Sequence, residues 1–255
     1  MKKLAVLVIV CFLTMGVSIS NVMAEEHGFM AGEPGHNPEA AGYDPGYKFF
    51  NPFNWWDEVP TITVRNPFDR GYWSSTGIMT ITLKDLSKFY NHCGPGVTQG
   101  MRLCIAAGKR LYEDGMIVRG DLRVVTGDNH GPAAVIEYIT NAVYGKPCGK
   151  AGVWFNGKMV YDTSIGKYSF IFYRKSTGKA IKLTLKLGVP PKEMRELKKK
   201  QFAGKKLTPE QVARMKAMAR KWAFKSMIMP EKELLKIEEL KDFNWNSYFK
   251  KAYGS

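Results

Sequence analysis

Two short loops hold the residues of this sequence with the strongest potential for chemistry. The first runs from His92 to Gly96 and contains Cys93, and the second runs from Asp128 to Pro132 and contains His130. Each loop leads into a segment with helical spacing. The free N–H groups and the dipole at the start of a helix favour anions and lower the pKa of a thiol. Cys93 is therefore a candidate thiolate, either as a nucleophile or as a metal ligand.

Convergence of these loops would bring sulfur and nitrogen donors together. Such a set suits zinc or another divalent transition metal. The sequence leaves alternatives to a metal site open, because no C-x-x-C pair is present. Cys93 and Cys148 could instead form a disulfide. His92 and His130 could each cap a loop. A nucleophilic Cys93 would take His92 or His130 as its base. The candidate metal ligands are His92, Cys93, His130 and Cys148.

The elements that must position these loops alternate between helix and strand. Apolar spacing predicts helices over residues 83–91, 97–112 and 132–144, with Cys104 on the apolar face of the second. Thr82 with Asp85 predicts the cap of the first helix. The order indicates an α+β fold with an α-β-α-β-β-β core and a mixed sheet. The predicted strands cover residues 122–126, 152–155, 168–174 and 180–186.

Composition divides the 255 residues into four parts. The 45% hydrophobic and 13% aromatic content excludes a disordered chain, and four cysteines are too few for a disulfide scaffold. A Gly-, Pro- and aromatic-rich arm follows a leader segment and has a net charge of −5, whereas the two later parts each have a net charge of +9. The predicted parts are residues 1–24, the arm 25–75, the α+β domain 76–187 and a basic helical extension 188–255.

The first part has the layout of a signal peptide. Lys2 and Lys3 precede the apolar run Leu4 to Val17, and small residues end at Ala24 before Glu25. Removal of residues 1–24 leaves 36 basic and 23 acidic residues, a net charge of +13, and three cysteines. We therefore expect a periplasmic or secreted protein without a membrane-spanning segment after cleavage. Export argues against nucleic acid as a partner.

The last part begins its long helix with a recognisable cap. Thr208 and Gln211 form a capping-box pattern, with Pro209 at the first helical position. The helix that follows has one apolar face and many basic residues around it. This pattern predicts docking on the core or on a second copy of the chain, with an anionic surface as the alternative.

Three separated segments resemble the FmdE-like proteins, a family named after a component of formylmethanofuran dehydrogenase. Residues 89–100, FYNHCGPGVTQG, resemble the family pattern F-H-G-H-x-C-P-G-x-x-x-G. Residues 140–146, TNAVYGK, resemble T-G-C-T-F-G-K, and residues 170–179 resemble F-x-F-Y-x-R…T-G-K. The resemblance covers residues 83–185 and implies the same α-β-α-β-β-β core, a metal site and a homodimer.

The ligand positions that the resemblance implies hold mostly other residue types. His92 matches the second histidine of the first pattern, and Cys93 lies one residue before the cysteine position. His130 lies one residue before the middle pattern C-x-x-D-A-I-Q, and Cys148 follows the third pattern. A His or Cys residue thus stands near each position where the family ligand has been replaced. This favours a metal site rebuilt from neighbouring residues over a lost one. The vacated positions hold Tyr90, Gly94, Gly131, Ala134 and Ala142.

The sequence therefore predicts an exported, FmdE-like metal-binding protein of unassigned substrate. A thiol-dependent enzyme that uses Cys93 is one alternative, and a structural partner of an exported redox complex is the other. Export makes a role in formylmethanofuran oxidation unexpected. The sequence shows no molybdopterin or iron–sulfur pattern to support that role.

Overall fold

The computed structural model describes residues 59–67, 75–90, 93–127, 130–145, 156–186 and 191–254. Among these, residues 196–217 belong to one compact unit, and 59–195 with 218–254 belong to another. The described residues of the first unit form the end of one helix, a connection and the first half of a second helix. The second unit contains every strand among the described residues.

Seven α-helices and eight strands form in the described residues. The helices are α1 Leu83–Phe89, α2 Pro95–Leu111, α3 His130–Thr140, α4 Lys192–Phe202, α5 Pro209–Ile228, α6 Glu231–Leu234 and α7 Trp245–Tyr253. The strands are β1 Ile62–Arg65, β2 Ile78–Ile81, β3 Ile117–Val118, β4 Leu122–Thr126, β5 Met159–Tyr161, β6 Ser169–Arg174, β7 Ala180–Leu185 and β8 Leu235–Leu240.

The strands form two mixed sheets. The smaller sheet has the order β2-β1-β3, and the larger has the order β5-β4-β6-β7-β8. In the larger sheet β4 and β5 are parallel, whereas β4, β6, β7 and β8 pair antiparallel in turn. The α+β class and mixed sheet predicted from the sequence are confirmed. The predicted strand 152–155 lies outside the described residues.

The two faces of the larger sheet differ in what covers them. In β4, Leu122 and Val124 join the main core with α2 and α3, whereas Val125 points to the opposite face. This alternation is the two-residue period of a strand. The opposite face holds a smaller apolar cluster, against which residues 240–253 pack.

The predicted helix caps are present. The backbone N–H of Asp85 donates to Thr82 Oγ1 (3.1 Å), and the N–H of Thr82 donates to Asp85 Oδ2 (2.9 Å). Thr208 and Gln211 exchange the same pair of hydrogen bonds, at 3.1 and 3.3 Å. Each box satisfies backbone donors that a helix start leaves free. Cys104 is fully buried in the main core, as its place on the apolar face predicts.

The C-terminal part is not wholly helical, which corrects the sequence-based prediction. Strand β8 pairs with β7 over six residues, from Ala180 opposite Leu240 to Leu185 opposite Leu235. Its sequence, LKIEEL, consists of residues that favour helices except for Ile237, so local propensity gave little strand signal. The free edge of β7 supplies the hydrogen-bond partners that override this propensity.

The C-terminal elements of the second unit are fastened to the core by polar contacts. Arg102 in α2 donates to the carbonyl oxygens of Met227 (2.6 Å) and Met229 (2.8 Å), at the end of α5. Lys251 in α7 pairs with the buried carboxylate of Asp162 at 2.8 Å. Tyr253 donates to the carbonyl of Met159 and accepts from a backbone N–H. Among the described residues, no helix combines the length and apolar character needed to cross a membrane.

Helices α2 and α3 pack closely because glycines leave no side chain between them. A Cβ added at Gly96 would lie 3.0 Å from the Cα of Gly131. A Cβ added at Gly100 would lie 2.7 Å from the Cβ of Val135 and 2.9 Å from the carbonyl oxygen of Pro132. All three distances are shorter than normal van der Waals contacts. The two helix starts therefore lie side by side.

Replacement of Gly100 by Ala should destabilise the protein. An exposed helical Gly→Ala change usually stabilises, but here the added methyl group meets the carbonyl oxygen of Pro132 and the side chain of Val135 in α3. We expect the free energy of unfolding to fall by about 1–3 kcal/mol, measured by urea denaturation. Gly178→Ala is the control for backbone strain alone, since Gly178 has φ +74° and no atom within 4 Å of the added Cβ. An unchanged or higher stability of Gly100→Ala would contradict the close crossing.

Candidate functional site

The candidate site lies where α2 and α3 begin. Cys93 precedes Gly94, the N-cap of α2, by one residue, and His130 is the first residue of α3. Because Gly96 lies against Gly131, the first turns of the two helices lie side by side at one end of the helix pair. Neither helix has an acidic residue in its first turn. The partial positive charge of both helix starts is therefore not neutralised by their own side chains.

The structure describes the side chain of only one of the four predicted ligands. Cys93 is described, whereas His130 is described only as the first residue of α3. His92 and Cys148, like the predicted signal peptide and most of the arm, lie outside the described residues. Within the described ranges, no three His, Cys, Asp or Glu residues are grouped closely enough to hold a metal ion.

Cys93 is a free, partly buried thiol that packs against the main core. Burial raises the pKa of this thiol, and a hydrogen bond with the side chain of Ser87 offsets only part of the increase. This direction is opposite to the one that the sequence led us to expect for a thiol at the start of α2. Burial removes water from the sulfur atom, and the charged form of the thiol then loses its hydration.

Two tyrosines and a phenylalanine make an aromatic surface beside the site. The Tyr90 hydroxyl donates a hydrogen bond to the backbone carbonyl of Ala134 in α3. Its ring lies 4.8 Å from the ring of Phe89, which also lies 4.8 Å from the ring of Tyr138. Burial and the nearby Glu137 raise the pKa of Tyr90, so its proton stays on the hydroxyl at neutral pH.

A comparison with protein families matches the region that contains both helix starts. The model of the FmdE family, described as molybdenum formylmethanofuran dehydrogenase operon, matches residues 89–236, more than half of the chain. The chain belongs to the FmdE family. The match begins at the end of α1 and ends within β8.

Among solved structures, the chain is similar to a tungsten formylmethanofuran dehydrogenase FmdE-like protein from Syntrophus aciditrophicus. The two share 18% identity with a TM-score of 0.36, over 69% of this chain and 80% of that chain. No curated protein matches the chain.

The FmdE pattern and the structure together distinguish the residues that allow the helices to pack from the residues that stand at the family's ligand positions. Three of the residues that this chain keeps from the first pattern, Pro95, Gly96 and Gly100, lie in the first two turns of α2, and the two glycines allow its close approach to α3. The residues that stand at ligand positions have packing roles instead. Tyr90 bonds to Ala134, Gly131 lies against Gly96, and Ala142 is fully buried.

Two polar residues of this region were not identified from the sequence. Thr126, the last residue of β4, is 4% exposed, and its Oγ1 has no hydrogen-bond partner among the described residues. Glu137 is the only acidic residue of α3, and burial raises the pKa of its carboxyl, which accepts from the N–H of Tyr144 at 2.6 Å. A lone carboxylate in an apolar helix is a sequence signal that could have identified Glu137. No such signal existed for Thr126.

Cys93 should react slowly with iodoacetamide in the folded protein. Because its pKa is raised, the thiolate fraction at pH 7.5 is smaller than that of an exposed cysteine, and the rate should continue to rise above pH 9. Peptide mapping by mass spectrometry distinguishes Cys93 from the other cysteines. Cys104 is the internal control and should react only after denaturation, since it is fully buried. A Cys93 rate that levels off below pH 8 would contradict the raised pKa.

Proposed function

We propose that this chain is an exported FmdE-family protein that binds one divalent transition metal ion, zinc being the first candidate. The ligands come from His92, Cys93, His130 and Cys148. Thiolate and imidazole are the donors that zinc and similar ions prefer, so the chemistry of the set fits such an ion.

The observation that carries the proposal is the contact between the starts of α2 and α3. Gly96 in the first turn of α2 lies against Gly131 in the first turn of α3. Cys93 lies three residues before Gly96, and His130 lies one residue before Gly131. This closeness along the chain to the contact supports a site that takes a sulfur donor from one segment and a nitrogen donor from the other.

The environment of Cys93 determines how a metal would be held. Its thiol is protonated at neutral pH, so coordination requires the loss of that proton. We therefore expect affinity to rise with pH. A bound ion would supply Lewis-acid chemistry, and the partly buried thiol and the Tyr90 ring would limit access of water.

A second candidate function is a metal-free binding partner in an exported redox complex. The hydrogen bond from Tyr90 to Ala134 and the burial of Ala142 favour it, because these contacts close positions where the family pattern has ligands. The raised pKa of Cys93 weighs against the third function, a thiol-dependent enzyme, since the thiolate is the nucleophile.

The mature protein should contain about one metal ion per chain when purified without added metal. Cys93→Ser and His130→Ala should each reduce the metal content by at least about half, because each removes one ligand of a four-ligand site. The measurement is elemental analysis by mass spectrometry together with a free-thiol count.

Cys104→Ala is the matched control, since Cys104 is a thiol of the same chain that lies in the core. Its metal content should equal that of the wild type. Full metal content in Cys93→Ser would contradict the proposed site. Absence of metal from the wild type, with two of three thiols missing, would indicate a disulfide and favour the metal-free partner.

Export makes a separate prediction. Expression with the complete leader should yield a periplasmic protein that begins at Glu25, because the basic start, apolar run and small residues of 1–24 fit a signal peptide. N-terminal sequencing of the periplasmic fraction tests this, with Lys2 and Lys3 replaced by Glu as the control that should reduce export. Retention of residues 1–24 would contradict cleavage. The proposed homodimer is tested on the same material by sedimentation.

A further inference from the structure

The turn between α4 and α5 carries the most exposed large apolar side chain among the described residues. Phe202, the last residue of α4, is 86% exposed, and the next such residue, Phe89, is 62% exposed. A single exposed apolar residue is common on protein surfaces and by itself indicates nothing. The charge around Phe202 is what distinguishes it.

Five exposed lysines flank Phe202 in the chain. The residues between Leu197 and Pro209 include no acidic one, and none of the five lysines forms an ion pair with a described residue. Two of the lysines precede Phe202 by three and four positions, so they are its neighbours on one face of α4. The end of α4 thus combines an exposed apolar ring with a positive charge that no described carboxylate balances. The lysines are Lys198, Lys199, Lys200, Lys205 and Lys206.

Backbone hydrogen bonds define the turn that follows Phe202. Gly204 has φ +71°, a left-handed conformation that glycine adopts without strain. The N–H of Lys205 donates to the carbonyl oxygen of Lys200 at 3.0 Å, as at many helix ends that close with a left-handed glycine. α5 then begins after the capping box of Thr208. The aromatic ring and the lysines are therefore presented together by an ordered turn.

We propose that the α4–α5 turn binds the surface of an anionic phospholipid bilayer. The lysines pair with the lipid phosphates, and the ring of Phe202 enters the boundary between headgroups and acyl chains, where its apolar surface leaves water. The apolar stems of lysines can lie along that boundary while their ammonium groups stay at the level of the headgroups. A bilayer accepts both parts of the turn without a shaped pocket. The inference goes beyond the proposed function and uses none of the proposed metal ligands.

Sedimentation with lipid vesicles tests the proposal. The protein is used without residues 1–24, because their apolar run would itself bind lipid. It should bind vesicles of phosphatidylglycerol and phosphatidylcholine in equal amounts, and not vesicles of phosphatidylcholine alone. Phe202→Ala should weaken binding about tenfold, the effect of losing part of the burial of an aromatic side chain. Lys205→Gln and Lys206→Gln should weaken it about fivefold for each lysine.

Salt distinguishes the contribution of the ring from that of the lysines. Added salt screens charge and leaves the burial of the ring unchanged. The ratio of wild-type to Phe202→Ala affinity should therefore stay the same as salt increases, whereas the ratio for the double lysine variant should fall towards one. The midpoint of thermal unfolding of Phe202→Ala should equal that of the wild type, since the side chain is exposed.

Two matched variants serve as controls. Ile228→Ala removes another exposed apolar side chain, 56% exposed, from the other end of α5. Lys175→Gln with Lys179→Gln removes the same charge as the double lysine variant from an exposed turn between β6 and β7. Both controls should keep the wild-type affinity for the anionic vesicles.

Three results would overturn the proposal. An equal loss of binding in the control lysine variant would show general attraction to a basic protein. Unchanged binding of Phe202→Ala would exclude entry of the ring into the bilayer. A wild type that does not bind the anionic vesicles would exclude the bilayer as the partner, and its retention on immobilised polyglutamate would then indicate an acidic protein instead.

Discussion

The close crossing of α2 and α3 is the constraint on which the rest of the structure depends. Gly96 and Gly100 leave no room for side chains, so the backbones of the two helices approach within ordinary contact distance. Their starts then lie together, and both helices contribute buried residues to the main core, which also contains Leu122 and Val124 of the larger sheet. A bulkier residue at either glycine would separate the helices and the segments that enter them.

This constraint explains how the chain can belong to the FmdE family and yet depart from its ligand pattern. The glycines that allow the crossing are kept, and a side chain at either position would meet atoms of α3. The donors are not required for packing, and Tyr90 replaces one with a hydrogen bond to Ala134. Cys93 remains beside the crossing, but it is a buried thiol with a raised pKa rather than an exposed thiolate. Membership in the family therefore establishes the fold of this chain, whereas it does not establish which of its residues bind a ligand.

The C-terminal strand β8 extends the larger sheet at the edge of β7, and helix α7 covers the second face of that sheet. β8 covers the edge of β7, which removes an unpaired strand edge, and α7 lays its aromatic residues on the smaller apolar cluster. The pair Lys251–Asp162 and the two hydrogen bonds of Tyr253 hold α7 in place. The family match ends at Lys236, the second residue of β8.

The sequence by itself determined the elements whose signals are local. Apolar spacing, capping boxes and turn residues identified α1, α2, β4, β6 and β7 to within about two residues, because these patterns depend on near neighbours in the chain. The order of the elements was enough to identify the α+β class. The resemblance in three ordered segments identified the family that the comparison then established.

Only the tertiary structure decided what depends on distant residues. Strand β8 forms from helix-favouring residues because β7 offers an edge, and Cys93 is desolvated because the main core lies beside it. The unpaired hydroxyl of Thr126 is likewise set by what the described residues of the helix layer fail to supply. Pairing, burial and unmet hydrogen bonds arise between segments far apart in the chain, and no local pattern records them.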